Sequence, residues 1–193
     1  MNKDIILLGI QWCWKWTQAD LLIKILPNHK YFEMGEILRS FHSSNNFIWN
    51  HLKEVMNHGD MIEHFITYDL IDIAIRISEQ QQTLLLIDWF PRAIEQAEFF
   101  VKKMELYCRN YVVIEFKLSR ERALERMIKR AEIESRKDDT LEVMNRRIDL
   151  FEKNTIPVLE FFKQQGNLLT INADDNIDKV ADTINSKLWL VKA

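Results

Sequence analysis

The stretch Ile5-Ile6-Leu7-Leu8-Gly9-Ile10-Gln11-Trp12-Cys13-Trp14-Lys15-Trp16-Thr17-Gln18-Ala19 decides the reading of this chain. Its four leading apolar residues and the glycine that closes them read as a short buried strand. From Thr17 to about Leu26, Ala19, Leu22, Ile23 and Leu26 recur at helical spacing. A lysine where a strand turns into a helix suits a phosphate, because helix N-terminal amides and an ammonium group both favour the anion. Such a loop also needs glycine, whose backbone reaches positive φ and lets phosphates approach. Here Trp12, Trp14 and Trp16 occupy the loop instead.

The same imbalance runs through the chain: it has 4 Gly and 6 Trp in 193 residues. Average usage of about 7% would give roughly 13 glycines. Otherwise the composition is that of a globular domain with a sizeable core, 47% hydrophobic and 28% charged. A formal charge of -3 argues against a general nucleic-acid binder. Cys13 and Cys108 are too few for a disulfide framework or a four-cysteine metal site, which fits a reducing cytoplasm. The opening Met-Asn-Lys-Asp and the short run Ile5–Leu8 give no signal peptide, and no run approaches the ~20 apolar residues of a membrane span. The expectation is a cytoplasmic protein with no membrane partner.

Further strands are predicted at Asn28–Glu33, Thr83–Asp88, Tyr111–Leu118 and Asn167–Asn172. Between them helices are predicted over Met34–Phe41, Phe47–His58, Met61–Gln80, Ala93–Tyr107, Arg120–Lys129, Asp139–Gln165 and Ile177–Leu188. The Met61–Gln80 helix presents Ile62, Phe65, Ile66, Leu70, Ile73 and Ile77 at helical spacing, and the Asp139–Gln165 stretch bends near Pro157. Strands alternating with helices imply an α/β fold, a parallel sheet covered on both faces. The five histidines show no metal spacing and read as surface residues.

Open α/β sheets place ligands beyond the carboxyl ends of their strands. Lys15 follows the first strand there, and Asp88-Trp89-Phe90-Pro91-Arg92 ends another. Arg126, Arg130, Arg136 and Arg147 follow. Guanidinium forks bind phosphate oxygens bidentately, and phosphoryl transfer needs positioning, Mg²⁺ and positive charge more than covalent help. A strand-end acid suits the waters around Mg²⁺.

On these residues the chain resembles the nucleoside monophosphate kinase family, its adenylate kinases in particular. The family's loop G-x-P-G-x-G-K-G-T-Q reads Gly9-Ile10-Gln11-Trp12-Cys13-Trp14-Lys15-Trp16-Thr17-Gln18 here. D-G-F-P-R reads Asp88-Trp89-Phe90-Pro91-Arg92, and T-G-D-x-L-R reads Met34-Gly35-Glu36-Ile37-Leu38-Arg39. The later R-x-D-D is Arg136-Lys137-Asp138-Asp139, followed by Arg147-Ile148 and Thr155-Ile156-Pro157. The motifs span nearly the whole chain in order.

The resemblance implies a P-loop nucleoside triphosphate hydrolase-like fold with a five-stranded parallel sheet flanked by helices. It implies one kinase domain over 1–193, with core segments 1–30, 63–125 and 138–193. A monophosphate-binding insert would span 31–62 and a short lid 126–137, too short for a zinc-bearing lid. It implies transfer of the terminal phosphoryl of ATP to AMP, giving two ADP, by a monomer with Mg²⁺. Lys15 would hold the β- and γ-phosphates, with Trp12, Cys13, Trp14, Trp16 and Thr17 around them and Arg126 and Arg130 on the ATP side. Arg39 and Arg92 would clamp the acceptor phosphate; Met34, Asp60, Met61, Ile62, Trp89 and Gln96 would surround the acceptor nucleotide. Arg136 and Arg147 would bridge both nucleotides, oriented by Asp138 and Asp139. Asp88 would order Mg²⁺ through water, with no direct protein ligand. Gln96 favours AMP, since pyrimidine monophosphate kinases usually carry Asn there, whereas Met34 in place of Thr leaves a pyrimidine acceptor as the alternative.

Trp12, Trp14, Trp16 and Trp89 stand at the family's glycine positions, and Trp49 stands where the family often has another. The codon UGA is read as glycine in some bacterial lineages and as tryptophan in others. Glycine at these five positions of the native protein, and at Trp189, is therefore the expectation. Real tryptophans would instead make the chain a non-catalytic relative.

Overall fold

Asp4–Gly9 forms strand β1, buried along its length except at its closing glycine. Such burial on both faces is what a central parallel strand requires. The computed structural model describes residues 2–40, 47–134 and 140–190, with 130–134 and 189–190 described by their backbone alone. In chain order β1 is followed by α1 (Lys15–Ile25), β2 (His29–Glu33), α2 (Met34–Ser40), α3 (Phe47–Asn57), α4 (His64–Gln80) and β3 (Leu84–Asp88). Then come α5 (Ile94–Leu106), β4 (Tyr111–Lys117), α6 (Arg120–Glu134), α7 (Leu141–Leu150), α8 (Ile156–Gln164), β5 (Leu168–Asn172) and α9 (Ile177–Leu190). The sheet order is β2-β3-β1-β4-β5, and every pairing is parallel.

Alternate side chains of a strand face opposite sides of the sheet. Ile6 and Leu8 pack with Ile71, Ile75, Phe100 and Phe162 on one face. Ile5 and Leu7 pack with Leu22, Met127, Met144, Ile148 and Ile184 on the other. The expected α/β fold, five parallel strands flanked by helices, is the observed one.

Four local expectations need correction. α4 starts at His64, not Met61, because residues 60–63 run without helix and bring Met61 and Ile62 to a cleft. Its buried stripe is Thr67, Ile71, Ile75 and Ser78, whereas Phe65, Ile73 and Ile77 are exposed. Isoleucines lie on several sides of this helix, so periodicity alone did not choose the face. The stretch before Gln165 is divided by a π-helical turn over Phe151–Thr155, in which the Ile156 N–H reaches back to the Phe151 carbonyl. The break precedes Pro157, which has no N–H to continue the ladder.

The fourth correction is His29, which is buried, with Nε2 3.0 Å from the Lys3 carbonyl oxygen. That carbonyl only accepts, so Nε2 carries the proton of the neutral ring. Burial lowers the His29 pKa, with the Lys3 hydrogen bond opposing. The unfolded chain therefore takes up a proton first, near the ordinary histidine value of about 6.5. The stability His29 contributes is complete above that pH and is lost as pH falls through its lowered folded value. The thermal midpoint is expected to drop on acidification below about pH 6.5, and H29Q, which keeps a donor for Lys3, to flatten that part of the pH profile.

At the amino ends of the strands a buried ion pair ties the sheet together. Arg109 donates from Nε to Asp4 Oδ2 at 2.8 Å and from Nη2 to Asp4 Oδ1 at 2.6 Å. Asp4 Oδ1 also accepts from the Leu85 N–H at 2.6 Å, and Arg109 Nη1 reaches Glu79 at 2.9 Å. Asp4 is fully buried. R109M would leave that carboxylate without its charge partner and is expected to cost about 3–5 kcal/mol in urea unfolding, much of it regained in the D4L/R109M pair.

Candidate active site

Residues 10–14 carry the chain from the end of β1 to α1. Gly9 has no room for a side chain there: a Cβ would lie 2.7 Å from Cys13 Sγ and 2.8 Å from the Phe116 carbonyl oxygen. Trp12 and Trp14 take φ of 67° and 68°, and Trp89, just past β3, takes 71°. For a residue with a Cβ this left-handed region costs roughly 1–2 kcal/mol. Gln82 and Cys108 also have positive φ, but each directly follows a helix C-cap, where one left-handed residue commonly ends a helix. Trp16, Trp49 and Trp189 lie in helices and make no such demand on φ.

Lys15, the first residue of α1, folds back into the loop. Its Nζ donates to the carbonyls of Gly9 at 2.8 Å and Ile10 at 3.1 Å, and lies 3.6 Å from Cys13 Sγ. Cys13 is buried and burial raises its pKa, so it stays a thiol. Thr17 lies in the first turn of α1 and Trp16 is exposed. Arg126 flanks the loop: Nη1 donates to the Trp12 carbonyl at 3.3 Å, Nη2 donates to the Ala173 carbonyl at 2.9 Å, and its guanidinium carbon is 5.0 Å from the Trp14 ring centroid. Arg130 belongs to α6, though its side chain is not described. Arg136, Asp138 and Asp139 lie outside the described residues, as does part of the expected 126–137 lid.

Across from Lys15, Asp88 ends β3, in register with Leu7 of β1. It is buried, the Tyr31 hydroxyl donates to its Oδ2 at 3.5 Å, and its Oδ1 has no hydrogen-bond partner among the described residues. Burial raises its pKa, with Lys15 opposing and Glu33 adding to the rise. Burial likewise pushes the Arg92 pKa down to about 9, with Asp88 opposing, which leaves the guanidinium charged at neutral pH. Its guanidinium carbon stacks 3.7 Å from the Trp89 ring centroid, a cation–π contact.

Lys15, Arg92 and Arg147 line one cleft with Gln11, Trp89 and Thr155. A second cleft is lined by Met34, Asp60, Met61, Ile62, Thr67, Trp89, Arg92 and Gln96. Trp89, Arg92 and Met61 face both. The clefts thus gather the described residues anticipated around the acceptor nucleotide, apart from Arg39, whose exposed side chain pairs with Glu33 at 2.9 Å; Arg136 lies outside the described residues. Asp60 also pairs with Arg146. Tyr31 and Thr67, near the clefts, were not anticipated, and Gln11 and Thr155 stood in motifs without a site role. Thr67 shares the buried stripe of α4 with Ile71 and Ile75, the face that periodicity alone did not choose.

Residues 7–167 match the family model for adenylate kinase. The chain belongs to the adenylate kinase family. Its members are nucleoside monophosphate kinases, enzymes of phosphoryl transfer. The chain is 32% identical to adenylate kinase 1 of Schistosoma mansoni over 187 residues, 96% of this chain and 92% of that one. It is 31% identical to an adenylate kinase of a Cyanothece species, over 88% of this chain and 87% of that one. A uridylate kinase of Schizosaccharomyces pombe is 29% identical over 96% of this chain and 97% of its own length. Among the described residues no helix is long and apolar enough to cross a membrane.

The raised pKa of Asp88 has a consequence for stability. Folding disfavours its ionised form, so its contribution is complete below the ordinary carboxyl value near 3.9 and is lost as pH rises through the folded value. D88N removes that loss. Its thermal midpoint is expected to exceed that of the parent at pH 7, and the gap to close toward pH 4.

Proposed function

We propose that the protein is an adenylate kinase that transfers the terminal phosphoryl group of ATP reversibly to AMP, giving two ADP. The observation that carries this reading is the convergence of Lys15, Arg92 and Arg147 on one cleft that adjoins a second cleft holding Gln96. Three cations lining one cleft suit a transition state whose charge is spread over phosphoryl oxygens. An oxygen of the acceptor's phosphate attacks the γ-phosphorus, and the bond from γ-phosphorus to the β-bridging oxygen breaks. Lys15 and the loop amides would hold the donor phosphates, Arg92 and Arg39 the acceptor phosphate, and Arg147 with Arg136 the group in transit. Segments 31–62 and 126–137 would close as insert and lid over the core and exclude water.

Asp88 fits a magnesium ion held through water: it is a hard oxygen donor at a strand end, with one buried oxygen lacking a hydrogen-bond partner among the described residues. Bound with ATP, the ion would offset charge on the β- and γ-phosphates.

The native protein, on this reading, carries glycine at 12, 14, 16, 49 and 89, and at 189 as well. The left-handed backbone at 12, 14 and 89 supports the exchange independently of any motif. With tryptophan in place, the Trp89 indole covers the Arg92 guanidinium that should meet phosphate. One observation favours a pyrimidine monophosphate instead: buried Met34 lines the acceptor cleft where the family has threonine.

A coupled assay with ATP and AMP, CMP, UMP or GMP, run on the five-glycine chain and on the tryptophan chain, tests all of this. Activity is expected with AMP in the glycine chain and none in the tryptophan chain. Turnover fastest with a pyrimidine monophosphate would move the acceptor assignment, and a fully active tryptophan chain would remove the glycine account. The intact mass of the protein from its source decides the residues directly.

A further inference from the structure

Gln96 is buried in the wall of the second cleft, and both ends of its amide are already engaged. Its Oε1 lies 2.7 Å from the Arg92 backbone nitrogen. A backbone N–H only donates, so the atom facing it must be the amide oxygen. At its other end Gln96 lies 3.2 Å from Thr67 Oγ1. The Thr67 hydroxyl spends its own hydrogen on the His64 carbonyl at 2.8 Å, so it can only accept from Gln96. The atom facing it must be the amide nitrogen. The two contacts therefore allow one orientation of the amide and forbid the flipped one.

A primary amide has two N–H hydrogens and two oxygen lone pairs. After these bonds Gln96 keeps one of each, in a fixed order. Base edges come in two opposite orders. In adenine and cytosine an exocyclic amino group stands beside an unprotonated ring nitrogen. In guanine and uracil an oxo group stands beside a ring N–H. An amide free to flip serves both orders, whereas a locked one serves a single order and leaves the other with two donors or two acceptors face to face. Such a mismatch in a buried site costs far more than a lost contact at the surface.

We propose that Thr67 is a positioning residue for acceptor specificity: its hydroxyl locks the Gln96 amide and so makes the site distinguish amino-edged from oxo-edged bases. This rests on the reading of the second cleft as the acceptor site. The same network reaches the phosphate clamp. Gln96 holds the Arg92 N–H, and the Thr155 hydroxyl donates to the Arg92 carbonyl at 3.2 Å. Arg92 is thus fixed through its backbone on both sides, and a base bound at Gln96 is tied to the placement of that guanidinium.

The test uses the full chain with glycine at 12, 14, 16, 49 and 89, its T67V and T67A variants without the hydroxyl, and T67S with it. Dissociation constants for AMP, CMP, GMP and UMP are measured by titration calorimetry, and kcat and KM for each by coupled assay. The parent is expected to separate the amino-edged pair from the oxo-edged pair. T67V and T67A should narrow that ratio by about tenfold, through KM more than kcat, and T67S should restore it. An unchanged ratio in both T67V and T67A, or a T67S chain that behaves like them, would overturn the proposal. A parent that favours UMP or GMP, with the preference erased in T67V, would overturn the AMP assignment while supporting the lock.

Discussion

A central parallel strand that hands its chain to a helix within a few residues must bend through backbone conformations open to few side chains. This constraint shapes the molecule's working end. Gly9 has contacts so close that a methyl group would collide, and positions 12 and 14 are left-handed. The bend sets Lys15 at the first turn of α1, over the strand end and against the loop carbonyls. Because β1 lies beside β3 in the sheet, the same bend faces Asp88 and the left-handed residue after it. Lysine, carboxylate and arginine meet because of where the chain turns.

The two ends of the sheet solve opposite electrostatic problems. At the amino ends, Asp4 and Arg109 satisfy each other with two hydrogen bonds, and the pair holds β1, β3 and the approach to β4 together. At the carboxyl ends charge is held with fewer partners: Asp88 is buried with one oxygen unpaired among the described residues, and Arg92 is desolvated. Such an arrangement is costly for the empty fold and useful once phosphates arrive, a division expected where a site is preorganised for charge that comes with its ligand.

The strands were legible because burial on both faces leaves continuous apolar runs such as Leu84-Leu85-Leu86-Ile87. Lys15, Asp88, Arg92 and Arg147 were legible because each stands at a distinctive place in a motif. Less legible were features set by packing. The inward face of α4 could not be chosen among several isoleucines. The buried state of His29 depends on the Lys3 carbonyl at the start of the chain. The π-helical turn before Pro157 and the roles of Thr67 and Thr155 arise only when α4, α5 and the segment after α7 come together. For the tryptophans, sequence and backbone contribute differently. Motif position marks five of the six, whereas the φ angles speak for three.

The stacking of Trp89 on Arg92 has an optical side. Indole emission depends on the field around the ring, and here a cation sits directly over it. A phosphate drawing the guanidinium away would change that field at once, whereas solvent-facing Trp16 would contribute a steady background. In the tryptophan-bearing chain, the side chain that covers the cleft would thus act as a built-in fluorophore for its occupancy. A chain with glycine at all six tryptophan positions, Trp189 included, would be silent at that wavelength, with tyrosine as its main chromophore.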